Sequence, residues 1–82
     1  MKLHKRIDIN PKIMFGKPVI NGTRITVEHI LRKLAEGITI KEIIKDHPHL
    51  KPEDIYAAQN FAADFLSEEE IVFSSGSKLG NY

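Results

Sequence analysis

Apolar and polar residues alternate between positions 7 and 15, on either side of the turn Asn10-Pro11, and this spacing predicts short extended segments. Further along, Asn21-Gly22 separates the apolar segments 17–20 and 23–25. This dipeptide suits the two positive φ angles of a type I′ turn. The start of the chain is therefore predicted to form a tight β-hairpin.

From residue 26 onward, apolar residues recur every three or four positions, which is the spacing of one helix face. Thr26 is a good N-cap for a first helix, and Gly37 is expected to end that helix because glycine readily adopts the left-handed conformation. The apolar face of the first helix comprises Val27, Ile30, Leu31, Leu34 and Ala35.

Two further helices follow at short intervals. Thr39 and Glu42 have the spacing of a capping box, which predicts a second helix that stops before Pro48. A third helix is predicted over about residues 52–66, although Lys51 stands where a capping side chain is preferred, a departure that costs about 1 kcal/mol. Its predicted core face comprises Ile55, Ala58, Ala62, Phe65 and Leu66, and a second apolar strip, typical of a partner surface, comprises Tyr56, Ala57 and Phe61.

These elements predict a mainly α fold, in which a short N-terminal β-hairpin is followed by three helices. The predicted domain spans residues 1–66, and residues 67–82 form a C-terminal tail. The acidic run 68–70 at the start of the tail is expected to be a solvated charge cluster, because adjacent carboxylates point in different directions. The polar end of the tail is typical of a mobile terminus.

The composition excludes several classes of site. The 82 residues include no cysteine, so disulfides, thiolate zinc sites and cysteine nucleophiles are absent. His47 and His49 resemble a ligand pair, but His4 and His29 are expected to lie elsewhere, so neither a metal nor a cofactor is expected. Because no catalytic group has workable spacing, the chain is not expected to be an enzyme. It has no apolar run near the length of a membrane span and no leader, which indicates a cytoplasmic protein.

Positive charge is concentrated at the start of the chain. The net charge of the chain is only +1, yet residues 1–33 hold eight Lys or Arg and two acids, which gives this part a net charge of +6. The remainder of the chain has a net charge of −5. This asymmetry indicates a polyanionic partner at one end and a basic partner at the other, or head-to-tail pairing of two copies. Ordinary solvated charge is the alternative explanation.

Two segments, INPKI at residues 9–13 and GKPVINGTRITV at residues 16–27, resemble the domain of unknown function 433 family, as do the positions of Gly37 and Pro48. The family pattern has the form P-x-I-x-x-G-x-P-V-I-x-G-T-R-I-x-V, and the resemblance covers about residues 7–63. It implies an antitoxin of the VapB kind, associated with a nuclease-like toxin. The implied fold is a three-helix, homeodomain-like or winged helix-turn-helix domain. Lys51 departs from the family, in which a threonine-type cap is more frequent.

A helix-turn-helix protein reads DNA with the N-terminal part of one helix. Here Glu53 and Asp54 begin the third helix and oppose the phosphate field, so the basic first third is the better candidate, and Arg24 has a purely structural alternative as a donor to buried carbonyls. The candidate DNA-binding residues are Lys2, Lys5, Arg6, Lys17, Arg24, Arg32 and Lys33, with Gln59 and Asn60 on the third helix.

Apolar residues near the acidic tail are candidates for binding a basic toxin surface. They are Phe61, Phe65, Leu66, Ile71, Val72 and Phe73. The alternative is that residues 71–73 fold back on the core or add a strand to the hairpin. The expected function is a homodimeric type II antitoxin that neutralises its toxin and binds double-stranded operator DNA. The alternative is a protein-interaction module with a helix-turn-helix-like fold and no DNA contact.

Overall fold

Two small β-sheets accompany three helices in the computed structural model, which describes residues 2–67 and 70–79. The helices are α1 (Val27–Ala35), α2 (Ile40–Asp46) and α3 (Pro52–Leu66). The strands are β1 (Lys2–His4), β2 (Ile7–Asp8), β3 (Val19–Ile20), β4 (Ile71–Phe73) and β5 (Lys78–Leu79).

The larger sheet joins the two ends of the described chain. Its strand order is β1-β4-β5, with β1 parallel to β4 and β4 antiparallel to β5. In the parallel pair Lys2 lies opposite Ile71, and His4 lies opposite Phe73. The smaller sheet pairs β2 with β3 in antiparallel register. A backbone hydrogen bond from Ser74 N–H to the Ile7 carbonyl oxygen, 3.0 Å long, connects the two sheets.

The predicted fold class is therefore wrong. The described chain is a mixed α and β structure with strands near both ends, whereas the sequence predicted a mainly α domain, homeodomain-like or of the winged helix-turn-helix type, with an N-terminal hairpin as its only β structure. The cause is the pairing of β1 with β4, which are separated by the whole helical region. Non-local parallel pairing of three-residue strands leaves no short-range pattern.

The predicted turn at Asn21-Gly22 exists, but its geometry is different. Gly22 has a φ of +79° and Asn21 is not among the residues with positive φ, so type I′, which needs both, is wrong. The Thr23 N–H donates to the Ile20 carbonyl at 2.9 Å, and together these features fit type II. The strand before this turn, β3, forms its ladder with β2, and residues 23–25 form no strand.

The predicted helix ends are confirmed. Thr26 accepts the His29 N–H at the start of α1, and Thr39 and Glu42 form a capping box at the start of α2. Gly37 has a φ of +89° after α1, and the next amide, that of Ile38, donates to the Lys33 carbonyl at 3.0 Å. This is the Schellman arrangement that glycine favours at a helix end.

Helix α3 starts without a capping side chain at Lys51, as predicted. Asp54, three residues later, compensates because its carboxylate accepts the Lys51 N–H at 2.9 Å. The same carboxylate accepts a hydrogen bond from Arg6 at 3.0 Å. The buried Asp54 carboxylate therefore has two roles. It caps α3, and it attaches the β1–β2 turn to this helix.

The buried core draws on every layer of the fold. Its residues include Ile7, Ile20, Ile30, Ile43, Leu50, Ile55, Ala58, Phe61, Ile71 and Phe73. The predicted core face of α3 is therefore partly wrong, because Phe61 is buried whereas Phe65 and Leu66 are 53% and 80% exposed. The bulky strand residue Phe73, whose ring centroid lies 5.7 Å from that of Phe61, occupies core space that the sequence had assigned to the end of the helix.

Candidate binding surfaces

Helix α3 carries two surfaces of different chemistry. Its core face holds Ile55, Ala58 and Phe61. At 100° per residue, Tyr56 and Asn60 lie on one side of this helix, and Phe65 and Leu66 lie well around from them. The sheet reaches both sides, since β1 lies beside the first pair and Leu79 of β5 lines the same groove as the second.

The first surface, which we call the cationic pocket, is formed by Lys2, Lys5, Arg6, Tyr56 and Asn60. It is an open pocket of about 560 Å³ between the β1–β2 segment and α3. Three cationic side chains thus face a phenol and an amide that can donate or accept hydrogen bonds. This combination can hold a phosphate by charge and a neighbouring polar group by hydrogen bonds.

Acidic side chains partly neutralise this pocket. Asp54 accepts from Arg6, whose side chain remains 43% exposed. Asp64 lies 2.7 Å from the buried His4 Nε2, and Glu53 also lines the pocket. The His4 ring in turn packs edge-on against Phe61, with ring centroids 5.6 Å apart. The pocket is therefore less positive than the local run of basic residues in the sequence implies.

The second surface, the apolar groove, runs between α1 and the C-terminal half of α3. It is an open groove of about 630 Å³, and its apolar lining includes Leu31, Ala35, Ala62, Phe65, Leu66 and Leu79. Phe61 contributes to the lining as well. An apolar depression of this kind, with bulky side chains left partly open to water, is typical of a surface that binds another protein.

Charged side chains line the α1 rim of the groove. Glu28 accepts hydrogen bonds from Lys17 at 3.1 Å and from Arg32 at 3.2 Å. Lys17, and secondly Arg32, hold the pKa of the Glu28 carboxyl below its ordinary value. The Lys17 contact also brings the segment before β3 to the α1 end of the groove, where Pro18 belongs to the lining.

A strained turn lies next to this rim. Met14, Phe15 and Gly16 have φ angles of +48°, +59° and +79°, so three successive residues are left-handed. For the two residues with a Cβ, this conformation costs about 1–2 kcal/mol each. The Phe15 side chain nevertheless packs little against the rest of the chain, since it is 94% exposed. The turn presents an aromatic ring to solvent at a cost in backbone energy.

The predicted DNA-binding residues do not all lie at the cationic pocket. Four of them line the cationic pocket: Lys2, Lys5, Arg6 and Asn60. Lys17 and Arg32 are paired with Glu28 at the groove rim, and Lys33 lies 3.9 Å from Glu36. Arg24 and Gln59 are exposed elsewhere. The positive charges of the first third are therefore not gathered on one face.

The predicted partner-binding residues are divided as well. Phe61, Phe65 and Leu66 line the apolar groove. Ile71 and Phe73 are each 1% exposed, and Val72 is half-buried in β4, so residues 71–73 form part of the sheet and core in this structure. Of the acidic run, residues 68 and 69 lie outside the described part of the chain, as do residues 80–82 of the predicted tail.

Three histidines lie closer together than the sequence suggested. The His29 and His47 ring centroids are 6.0 Å apart, and those of His47 and His49 are 6.5 Å apart, so the expectation that His29 lies elsewhere is wrong. Within residues 2–67 and 70–79, no group of three or more potential ligands is arranged to hold a metal ion. Nor does this part of the chain include a helix long and apolar enough to cross a membrane.

Sequence reasoning missed the residues that complete both surfaces. Leu31 and Leu79 both line the groove. The sequence pattern places Leu31 only on the core face of the first helix, and it places Leu79 only in the tail. Asp54 was interpreted as an obstacle to DNA, and its three-residue spacing from the helix start was the available sign of its capping role. Phe15 gave no such sign, because only Gly16 in its turn is a residue that favours positive φ.

Comparison with known proteins agrees with the resemblance in the sequence. The family described as "Protein of unknown function (DUF433)" matches residues 7–62. The crystal structure of a DUF433 member protein from Anabaena variabilis is similar, with a TM-score of 0.73 and 28% sequence identity over 77% of this chain. The match covers 62% of that longer chain. No curated protein matches. On the match over residues 7–62, this chain belongs to the DUF433 family of proteins of unknown function.

Proposed function

We propose that this chain is an antitoxin of the type II kind, which binds DNA through the cationic pocket and a toxin protein through the apolar groove. The observation that carries the proposal is the location of these two surfaces on different sides of α3. One helix can thus engage a polyanion and a protein at the same time. The VapB-type character that the sequence resemblance implies supports the same assignment.

The DNA contact is assigned to the phosphate backbone. Lys2, Lys5 and Arg6 lie along one segment, and Asn60 faces them from α3. Cations dispersed along a strand and turn are suited to consecutive phosphates, and the amide adds a hydrogen bond to phosphate or base. The salt dependence of binding is therefore the property that identifies the mode.

Fluorescence anisotropy with promoter duplex DNA, measured over a series of salt concentrations, tests this contact. Lys5→Ala is expected to reduce the slope of log affinity against log salt by about 0.9, the value for one phosphate contact. Lys45→Ala, which removes an exposed lysine of α2 outside the pocket, is the matched control and leaves the slope unchanged. Binding that is absent at low salt, or equal slopes for the two variants, contradicts DNA binding by the pocket.

The toxin contact is assigned to a helix or ridge with apolar side chains, which the groove can receive between α1 and α3. Co-expression with the product of the adjacent reading frame tests it. Replacement of both Phe65 and Leu66 by Ser is expected to abolish co-purification, since both side chains are exposed and their loss leaves the core intact. Leu3→Ser, also exposed but at the cationic pocket, is the control. Retention of the complex by the double variant excludes the groove.

A protein-interaction module without DNA contact is the second candidate. The observation that favours it is the pairing of Arg6 with Asp54 and of His4 with Asp64, which offsets positive charge at the pocket. For such a module, the anisotropy experiment gives no binding at low salt, while the toxin complex still depends on Phe65 and Leu66. The two experiments therefore separate the candidates.

A further inference from the structure

We infer that, in the free protein, the apolar groove of one copy receives the Phe15 side chain of a second copy, and that this exchange is reciprocal. The inference rests on the proposed protein-binding role of the groove and names a second occupant for it. The two parts of the contact are the exposed Phe15 side chain, which we call the knob, and the apolar groove, and both are present on this one chain.

The knob is held in a fixed position. Successive left-handed residues, Met14 to Gly16, point Phe15 away from its own core, and the turn is closed by hydrogen bonds from Gly16 N–H to the Ile13 carbonyl and from Lys17 N–H to the Met14 carbonyl. A ring held in this way loses little conformational freedom when it is buried by a partner. A strained turn that its own fold does not use is explained when a contact outside the chain uses it.

The turn that carries the knob is connected to α1, the helix that forms one wall of the groove. The bond between Lys17 and Glu28 places the turn at the start of α1, whereas Ala35, at the other end of this helix, marks the far end of the groove. The two ends are separated by about 12 Å along the helix axis. Two copies placed side by side and antiparallel would therefore each bring Phe15 to the far end of the other groove, in a closed two-fold pair.

The charges at the rim fit the same arrangement. Glu28 and Arg32 are one helical turn apart on the rim of α1. When two such helices run antiparallel across a two-fold axis, each Glu28 approaches the Arg32 of the other copy, so the rim is complementary to itself. A parallel arrangement would instead oppose like charges, which disfavours it.

The size of the surface sets the expected affinity. Each buried phenylalanine contributes about 150–250 Å². Phe15, Phe65 and Leu66 together therefore cover less than the roughly 800 Å² per partner of a stable interface. The pair is expected to form and dissociate with concentration in the micromolar range. Because the second copy uses Phe65 and Leu66, it excludes the toxin from the groove.

Sedimentation equilibrium from about 1 µM to 1 mM, with Phe15→Ala and the control Leu3→Ala, tests the inference. The unchanged chain and the control are expected to dimerise. Phe15→Ala removes a hot-spot contact twice per dimer, and since one such contact is worth about 30-fold, its dimer should be about 10²- to 10³-fold weaker. A monomeric unchanged chain, or a Phe15→Ala dimer of undiminished strength, overturns the inference.

Disulfide trapping identifies the contact directly, because the chain has no cysteine of its own. A mixture of Met14→Cys and Ala35→Cys chains, both of which keep the Phe15 side chain, is expected to form mixed disulfide dimers in excess over either homodimer. Excess homodimers, or no cross-link, overturn the reciprocal arrangement. Failure here leaves the proposed function standing, since toxin co-purification is measured separately. Phe15→Ala should retain the toxin, and loss of the toxin would assign Phe15 to that complex and contradict the inference.

Discussion

The cationic pocket and the apolar groove differ in how far the chain satisfies its own chemistry. In the pocket, Arg6 is paired with Asp54 and His4 with Asp64, and water can hydrate exposed polar groups. In the groove, Phe65 and Leu66 remain open to water, which cannot satisfy an apolar surface. The comparison shows that the groove gains more than the pocket from burial by a partner. No pattern of charges in the sequence marks the groove.

The two surfaces nevertheless share one support. Phe61 contacts His4 of the cationic pocket, lines the groove and lies within aromatic contact of Phe73. Substitution of Phe61 should therefore disrupt both surfaces at once. Substitution of a residue that lines only one surface should disrupt that surface alone.

Phe61→Ala is expected to have the largest effect. Removal of a buried aromatic side chain leaves a cavity and should lower the free energy of unfolding by about 3–5 kcal/mol, so that both surfaces are disrupted. Urea denaturation followed by circular dichroism measures the change. Phe65→Ala, one helical turn away and exposed, is the control and should cost less than about 1 kcal/mol. Equal losses for the two variants would contradict the shared support.

Asp54→Ala sharpens the comparison on the cationic side alone. The substitution leaves the Lys51 N–H without its acceptor and Arg6 without its carboxylate, so the free energy of unfolding should fall by about 1–3 kcal/mol. Asp54→Asn keeps an acceptor oxygen and should recover part of the loss. Asp46→Ala, at an exposed acid, provides the baseline in the same urea experiment. A loss no larger than this baseline shows that Asp54 does not fasten the pocket to α3.

Asp8→Asn tests a contact between the two sheets and should have the smallest effect. The Ser75 hydroxyl is the main cause that lowers the pKa of the Asp8 carboxyl, against an opposing effect of partial burial. Because the folded pKa is the lower one, this stabilisation is present above the unfolded pKa and is lost as pH falls through the folded value. The variant should cost below about 1 kcal/mol at neutral pH.

Thermal unfolding measured from pH 7 to pH 2 checks this link. The difference between the unchanged chain and Asp8→Asn should shrink as the carboxyl becomes protonated, and Ser75→Ala should show the same loss at neutral pH. A difference that stays constant at every pH would assign the effect of Asp8 to packing.

The helices could be predicted from the sequence because their signals are local. Thr26, Thr39 with Glu42, and Gly37 each act within one turn of a helix end, and all have the predicted roles. The larger sheet could not be predicted, because β1 and β4 are three-residue strands that are defined only by each other. The apolar run 71–73 has the same composition whether it packs on its own core or on a partner.

The candidate sites were predicted in part for the same reason. Lys2, Lys5 and Arg6 are neighbours in sequence, so their meeting at one pocket follows from the chain, and the hydrogen-bonding groups of Asn60 make it a candidate. The groove could not be predicted, because it depends on how α1, α3 and β5 pack together. The spacing of residues along the sequence does not reveal that packing. The sequence predicts Phe65 and Leu66 as partner-binding residues, but its prediction that they also belong to the core face of α3 is wrong, since both are exposed.

The parallel pairing of β1 with β4 also sets an order of events during synthesis. Lys2 is translated before the helical region, yet its strand partner Ile71 emerges from the ribosome only after that region. At about 5–20 residues per second, β1 waits several seconds for that strand. The helices can dock on one another during this interval, whereas the pairing of β1 with β4 can form only later, so the β1 wall of the cationic pocket is completed last.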